Sequence, residues 1–265
     1  MNQKAIGVFD SGVGGLTVLK ALMDRLPGES TVYLGDTARL PYGTKSPEVV
    51  TRYSLASARF LMQQEIKLLV VACNTASSVS LPALHEELSI PVLGVIEPGA
   101  RAAAQASAGR IGIIGTPGTI ASGAYQAALQ ERRPGLFLEA RACPLFVPLA
   151  EEGWVEGEVV EAVARKYLAD FAPAHIDTLV LGCTHYPLLK GAIARVMGEK
   201  VALVDSAEAT AESVAALLAE KGLLAPAGAR VLHRYFVTDL PERFAEVGAR
   251  FLKRPIEKAE LVDIR

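Results

Sequence analysis

Leu69-Val70-Val71-Ala72-Cys73-Asn74-Thr75 is the stretch that decides the fold: an apolar, strand-like run ending in a thiol and two small polar residues. It returns 110 residues later as Leu179-Val180-Leu181-Gly182-Cys183-Thr184-His185. A second pair behaves the same way. Ile6-Gly7-Val8-Phe9 leads into Asp10-Ser11-Gly12-Val13-Gly14-Gly15, and 105 residues on Ile111-Gly112-Ile113-Ile114 leads into Gly115-Thr116-Pro117-Gly118-Thr119. Two strand–loop signatures recurring in one order at nearly one offset predict two similar halves. If the halves face each other, the two cysteine loops meet across one cleft.

Working outward, further short apolar runs at 31–34, 91–95 and 201–204 alternate with stretches of helical spacing such as Leu16, Leu19, Leu22, Met23, Leu26. This predicts an α/β protein with two pseudosymmetric domains, each built on a largely parallel sheet buried on both faces. Helices are expected over 76–88 and 186–196, directly after the cysteine loops. Ligands of such sheets bind beyond the carboxyl ends of the strands. The segment after about residue 206 still reads as αβ, so the first domain is expected to comprise 1–96 plus 207–265, with 97–206 inserted as the second. Glu97-Pro98-Gly99 and Asp205-Ser206 are the expected crossings.

The 265 residues are compatible with two domains at about 150 residues each. Hydrophobic residues reach 51% against 21% charged, enough to build a core and to exclude disorder as the default state. A formal charge of −2, with only isolated basic pairs, offers no electrostatic footprint for nucleic acid. The apolar runs fall far short of the about 20 residues that span a bilayer, and no export signal is legible, so a cytoplasmic protein without membrane partners is expected. The 3 cysteines include no C-x-x-C pair, which argues against a disulfide framework or a cysteine-rich metal site.

Cys73 and Cys183 each precede a predicted helix, where amides and the helix dipole favour a thiolate; the alternative for each is a small buried apolar residue, which is how Cys143 reads. The turn from Asp10 to Gly15 lacks the third glycine of a dinucleotide fingerprint and the lysine of a phosphate-binding loop. What remains is a seat for a carboxylate with Asp10 at its mouth, or a turn in which Asp10 is a cap. His185 reads either as a structural histidine or as a ligand, though a Cys183/His185 metal pair would lack further partners. Asn74, Thr75 and Thr184 read as helix caps or as polar contacts for a small zwitterion. The loop from Gly35 to Lys45 is polar, with Pro41 and Gly43 fixing its turns, and is placed to approach a ligand.

The strings FDSGVGG (9–15), GDTARLPYGTKS (35–46), VVACNTAS (70–77), LGCTHYPLL (181–189) and CPLFVPLAEEGW (143–154) resemble those of the aspartate/glutamate racemase family, and within it the glutamate racemases. The resemblance implies a cofactor-independent isomerase that interconverts L- and D-glutamate and supplies D-glutamate for peptidoglycan. It assigns acid/base roles to Cys73 and Cys183, with Asp10, Glu151 and His185 assisting; Glu151 rather than Glu152 depends on the alignment of one short stretch. Substrate contacts fall to Asp10, Ser11, Tyr42, Gly43, Asn74, Thr75, Thr184 and His185, with Thr116 and Thr119 helping. No metal or cofactor is implied; glutamate is the expected small-molecule partner, and a homodimer is held open.

The chemistry agrees with this reading. Inverting a stereocentre without a cofactor needs one group to remove the α-proton from one face and another to deliver a proton to the opposite face. No lysine in these loops is set to form a Schiff base. The rivals are an aspartate racemase, a decarboxylase needing a single cysteine, a bilobed amino-acid-binding module and a Cys/His hydrolase. The second cysteine disfavours the decarboxylase, the missing export signal the binding module, and the closeness of Cys183 to His185 the hydrolase.

Overall fold

A computed structural model describes residues 3–171 and 173–264; residues 1, 2, 172 and 265, which the expected domain limits take in, lie outside the described residues. Among the described residues, ten strands form two sheets. β1 (Ala5–Asp10), β2 (Thr31–Gly35), β3 (Ile66–Val71) and β4 (Val92–Gly94) belong to the first. The second holds β5 (Arg110–Gly115), β6 (Phe137–Ala142), β7 (Thr178–Gly182) and β8 (Ala202–Asp205). β9 (His233–Val237) and β10 (Glu260–Leu261) return to the first sheet, on the β2 edge. Every pairing is parallel.

The repeat seen in the sequence becomes a repeat of topology. The first sheet contains the order β2-β1-β3-β4 and the second the order β6-β5-β7-β8, so each half reverses direction at the same step. In the first half that switch point lies between β1 and β3, and in the second between β5 and β7. At a switch point the connecting helices diverge to opposite faces and leave a crevice at the carboxyl ends of the strands. Asp10 and Cys73 flank the first crevice; Thr116 and Cys183 flank the second. The central strands are the apolar runs of the sequence because they are covered by helices on both faces: all six residues of β3 and all five of β7 are buried.

Three expectations need correcting. The apolar runs left out β6, an edge strand whose sequence Phe-Leu-Glu-Ala-Arg-Ala is half-exposed and so carries charges at alternate positions. The helix expected over 76–88 is two, Asn74–Val79 and Leu81–Glu87, broken at Ser80, where Pro82 opens the second. The one expected over 186–196 starts as a 3-10 turn at Tyr186–Leu189, with Pro187 in it, and becomes α-helical only over Lys190–Met197.

A buried ion pair fixes the chain where it returns to the first sheet. Lys67 Nζ lies 2.5 Å from Glu29 Oε2, both nearly inaccessible. The ammonium also donates to the Leu223 carbonyl and the Glu29 carboxylate accepts the Ala225 amide, each at 2.7 Å. The segment following the helix Ala207–Glu220 is thereby tied to the base of β3. No helix among the described residues is long and apolar enough to cross a membrane.

Candidate active site

The two crevices meet. A cavity of about 290 Å³ is lined by Ser11, Tyr42, Gly43, Cys73, Asn74 and Thr75 from the first half and by Thr116, Glu151, Cys183, Thr184 and His185 from the second. Pro144, Val147 and Pro148 add an apolar wall. These three escaped the residue-level reading, though they stand within the 143–154 string. Asp10 and Thr119 do not line the cavity; both are buried behind it. Cys143 is buried away from it, its thiol pushed up to about 12 by burial.

Cys73 stands two residues beyond the end of β3 and Cys183 one residue beyond the end of β7. Cys73 caps the helix Asn74–Val79, the Ala76 amide pointing at its sulfur from 3.5 Å, and its Sγ lies 3.7 Å from the Ser11 hydroxyl. The expectation of a lowered thiol pKa is reversed here. Burial, and then the Asp10 carboxylate, push Cys73 up to about 12, outweighing the amide and the Ser11 hydroxyl. Six residues of helix are too little to offset the loss of solvent.

Asp10 is likewise not at the mouth of a free anion seat. Its carboxylate fills that seat itself, accepting the Gly12 amide at 2.9 Å, and Gly15 approaches so closely that a Cβ would lie 2.5 Å from the Asp10 Cβ. Burial raises the Asp10 pKa, against the pull of His185 and the two amides.

Cys183 Sγ lies 3.8 Å from His185 Nδ1, and His185 Nε2 lies 2.9 Å from Glu151 Oε1. Burial works to lower the histidine, but the hydrogen bonds to Cys183 and Glu151 prevail and push it up to about 10. Glu151, in spite of its desolvation, is held below the usual carboxylate range by His185. A positive ring therefore stands between a carboxylate and a sulfur, and the carboxylate that holds it is Glu151. Glu152 instead faces Arg243 at the surface.

Polar groups close the seam between the halves. Thr75, Thr116 and Thr119 form a ring of hydroxyls with separations of 2.9, 3.0 and 3.1 Å. Gly43 packs on Thr116 so tightly that a Cβ would meet the Thr116 Cβ at 2.5 Å, so no larger residue fits that approach. The Tyr42 hydroxyl is spent on buried Asp36, which also holds Arg39 and Thr238. What this loop can offer the cavity is main-chain: Tyr42 and Gly43 begin a 3-10 turn, whose first amides have no partner within the turn. Asn74 accepts a hydrogen bond from Tyr125 through Oδ1, and its Nδ2 is buried without a partner.

Known proteins resemble the chain over nearly its whole length. The family described as Asp/Glu/hydantoin racemase matches residues 13–214. A glutamate racemase of Geobacter metallireducens is 61% identical over 253 residues, 95% of this chain and 94% of that one. The crystal structure of glutamate racemase isoform RacE1 from Bacillus anthracis superposes with a TM-score of 0.95 at 43% identity, covering 99% of this chain and 98% of that one. That of the Francisella tularensis enzyme in complex with D-glutamate does so with a TM-score of 0.93 at 39% identity, with coverages of 99% and 98%. Fold and matches define an isomerase of the amino-acid racemase class. The chain belongs to the Asp/Glu/hydantoin racemase family, among its glutamate racemases.

Proposed function

We propose that this chain interconverts L- and D-glutamate without a cofactor, by proton transfer between two bases, Cys73 and Cys183. The observation that carries the reading is that the two thiols line one cavity, each from the equivalent strand end of its own half. In each turnover a thiolate on one side takes the α-proton, and the bonding pair is left on the α-carbon and delocalised into the adjacent carboxylate. The thiol on the other side then gives its proton to the opposite face. Thiol and thiolate exchange places, and nothing is consumed.

An α-proton beside a carboxylate is far less acidic than a thiol, so the developing charge needs fixed donors in a site closed to water. Ser11, Thr75, Thr184 and the amides of Tyr42 and Gly43 are the donors in this reading, with Thr116 and Thr119 bracing them and Asn74 binding the substrate in the ground state. The His185–Glu151 pair sets a positive charge beside Cys183, and Asp10 acts on Cys73 from behind. The Francisella relative's D-glutamate supports a carboxylate-bearing amino acid as the ligand.

The two sheets support a division into a first domain, 1–96 plus 207–265, and a second, 97–206, hinged at the two crossings. In the cell we place the protein in the cytoplasm, supplying D-glutamate for peptidoglycan, and a homodimer is the assembly to seek by light scattering.

Incubating the purified protein with L-glutamate and no added cofactor, followed by chiral chromatography, tests the activity. Run in deuterium oxide, two-base chemistry gives D-glutamate carrying deuterium at the α-carbon while the early remaining L-glutamate stays protiated. Internal return of the original proton to the product would contradict it.

A further inference from the structure

Tyr125, in the helix Ala124–Arg132 of the second half, lines no part of the cavity, yet it touches both cysteine loops and a chain crossing between the halves. It is fully buried. Its hydroxyl donates to Asn74 Oδ1 at 2.7 Å, one residue beyond Cys73. Its ring packs on Gly182, one residue before Cys183, where a Cβ would lie 3.0 Å from the ring edge. The same hydroxyl stands at both chain crossings: a Cβ built on Gly99 would lie 3.1 Å from it and 3.1 Å from the Ser206 Cβ.

The polarity of this hydrogen bond matters. The phenol hydrogen points at Asn74, whose Oδ1 accepts it. An asparagine amide presents an acceptor at one end and a donor at the other, and only its partners decide which end faces where. With Oδ1 held by Tyr125, the free end is Nδ2, buried and unpaired, on a residue of the cavity wall. A donor there suits an anionic substrate; an acceptor there would repel it.

We propose that Tyr125 is a positioning residue for substrate binding: it fixes the Asn74 amide with its N–H₂ toward the cavity and, through the same side chain, spans the two cysteine loops. The proposal rests on the reading of Asn74 as a substrate ligand. Tyr125 does not touch the reacting atoms. Its effect is on how the carboxylate is met, so it acts on KM more than on kcat.

The test is steady-state racemisation of both glutamate enantiomers by Tyr125→Phe, Asn74→Ala and the double variant, with thermal melting of each. Phenylalanine keeps the ring on Gly182 and removes only the hydroxyl. The expected result is a KM about ten-fold higher in Tyr125→Phe in both directions, a much smaller change in kcat, and a change of less than about two-fold when the same substitution is made in the Asn74→Ala background. Additive effects would overturn the proposal, because Tyr125 would then act by packing alone. So would an unchanged KM in Tyr125→Phe beside a raised KM in Asn74→Ala, and that result would leave Asn74 as a ligand. An unchanged KM in Asn74→Ala would remove the ligand reading and this inference with it. Should Tyr125→Phe fail to fold, Tyr125→Met replaces it, a flexible side chain without the hydroxyl. It should raise KM several-fold in the parent and not in Asn74→Ala, and equal effects in both would overturn the proposal.

Discussion

His185 Nε2 lies 2.9 Å from Glu151 Oε1, and this pair brings a strand-end loop of the second sheet against the helix Phe146–Glu151. Phe251, from the C-terminal helix Pro241–Leu252, meets the ring edge-on with centroids 5.3 Å apart, and Arg250 donates to the Glu151 carbonyl at 2.9 Å. The ring is thus held charged, desolvated and fixed in orientation, three conditions that a surface histidine never combines.

That arrangement has a pH signature. The folded-state pKa of about 10 stands above the unfolded value of 6.5, so between the two the folded chain holds a proton that the unfolded chain has released. The stabilisation is present in full below about pH 6.5 and is lost as pH rises toward 10, with a slope approaching about 1.4 kcal/mol per pH unit. Urea unfolding from pH 6 to pH 9 should show this decline in the parent and a flatter curve in His185→Asn. Parallel curves would mean the ring is neutral in the fold.

The thiols predict a second set of outcomes. Enantiomers have equal free energies in water, so the equilibrium constant is one and kcat/KM must be equal in both directions for every variant. Cys73→Ala and Cys183→Ala should each lose at least the 10²- to 10⁴-fold that a positioned acid/base group supplies, in both directions alike. Cys143→Ala should keep parent activity, since this thiol lies outside the cavity. Chiral chromatography decides it: parent rates in either of the first two variants would end the two-base mechanism, and a dead but folded Cys143→Ala would mean the wrong cysteines were chosen.

Most of this site was legible because the chemistry sits at the ends of strands that are buried on both faces. Such strands write themselves as continuous apolar runs, so the residues after them stand out: Asp10, Cys73, Thr116 and Cys183 all do. Edge strands leave no such mark. β6 carries Glu139 and Arg141 because one side meets water, and β9 begins His233-Arg234 at the end that the two-residue β10 leaves uncovered. Contacts that depend on distant segments were equally silent. Nothing in the neighbours of Tyr125 announces Asn74, and the direction of the Cys73 shift turns on how completely its surroundings exclude water, which spacing does not encode.

The buried pair Lys67–Glu29 gives a stability prediction independent of catalysis. Lys67→Met removes one charge and leaves Glu29 enclosed with only the Ala225 amide as partner. Breaking one side of a buried pair costs about 3–5 kcal/mol, whereas replacing both charges by apolar residues is often neutral. Urea denaturation should therefore show Lys67→Met strongly destabilised and Lys67→Met/Glu29→Leu recovering much of the loss. Racemisation well below the melting temperature should be unaffected in the double variant, because the pair is remote from the cavity lining.

The last prediction is selectivity between glutamate and aspartate. The cavity is small and the donors proposed for it are fixed: the Asn74 amide is held by Tyr125, the Thr75 and Thr116 hydroxyls by each other and by Thr119 behind them, and the Tyr42–Gly43 amides by a loop anchored through Asp36. Arg39 pairs with Asp36, so in the proposed reading the side-chain carboxylate is met by neutral donors of the Tyr42–Gly43 loop rather than by a mobile cation that could follow a shorter ligand. An amino acid one methylene shorter cannot meet both ends of such a site at once. Each buried donor left unpaired costs about 1–3 kcal/mol, which is about 5- to 150-fold in kcat/KM. Two such donors would make aspartate a very poor substrate. Loss of the α-proton signal in deuterium oxide, followed for both amino acids at equal concentration, measures the ratio directly. Exchange of aspartate as fast as glutamate would show that the donors move with the ligand, and would leave the two-cysteine chemistry intact while removing the rigid-site account of its specificity.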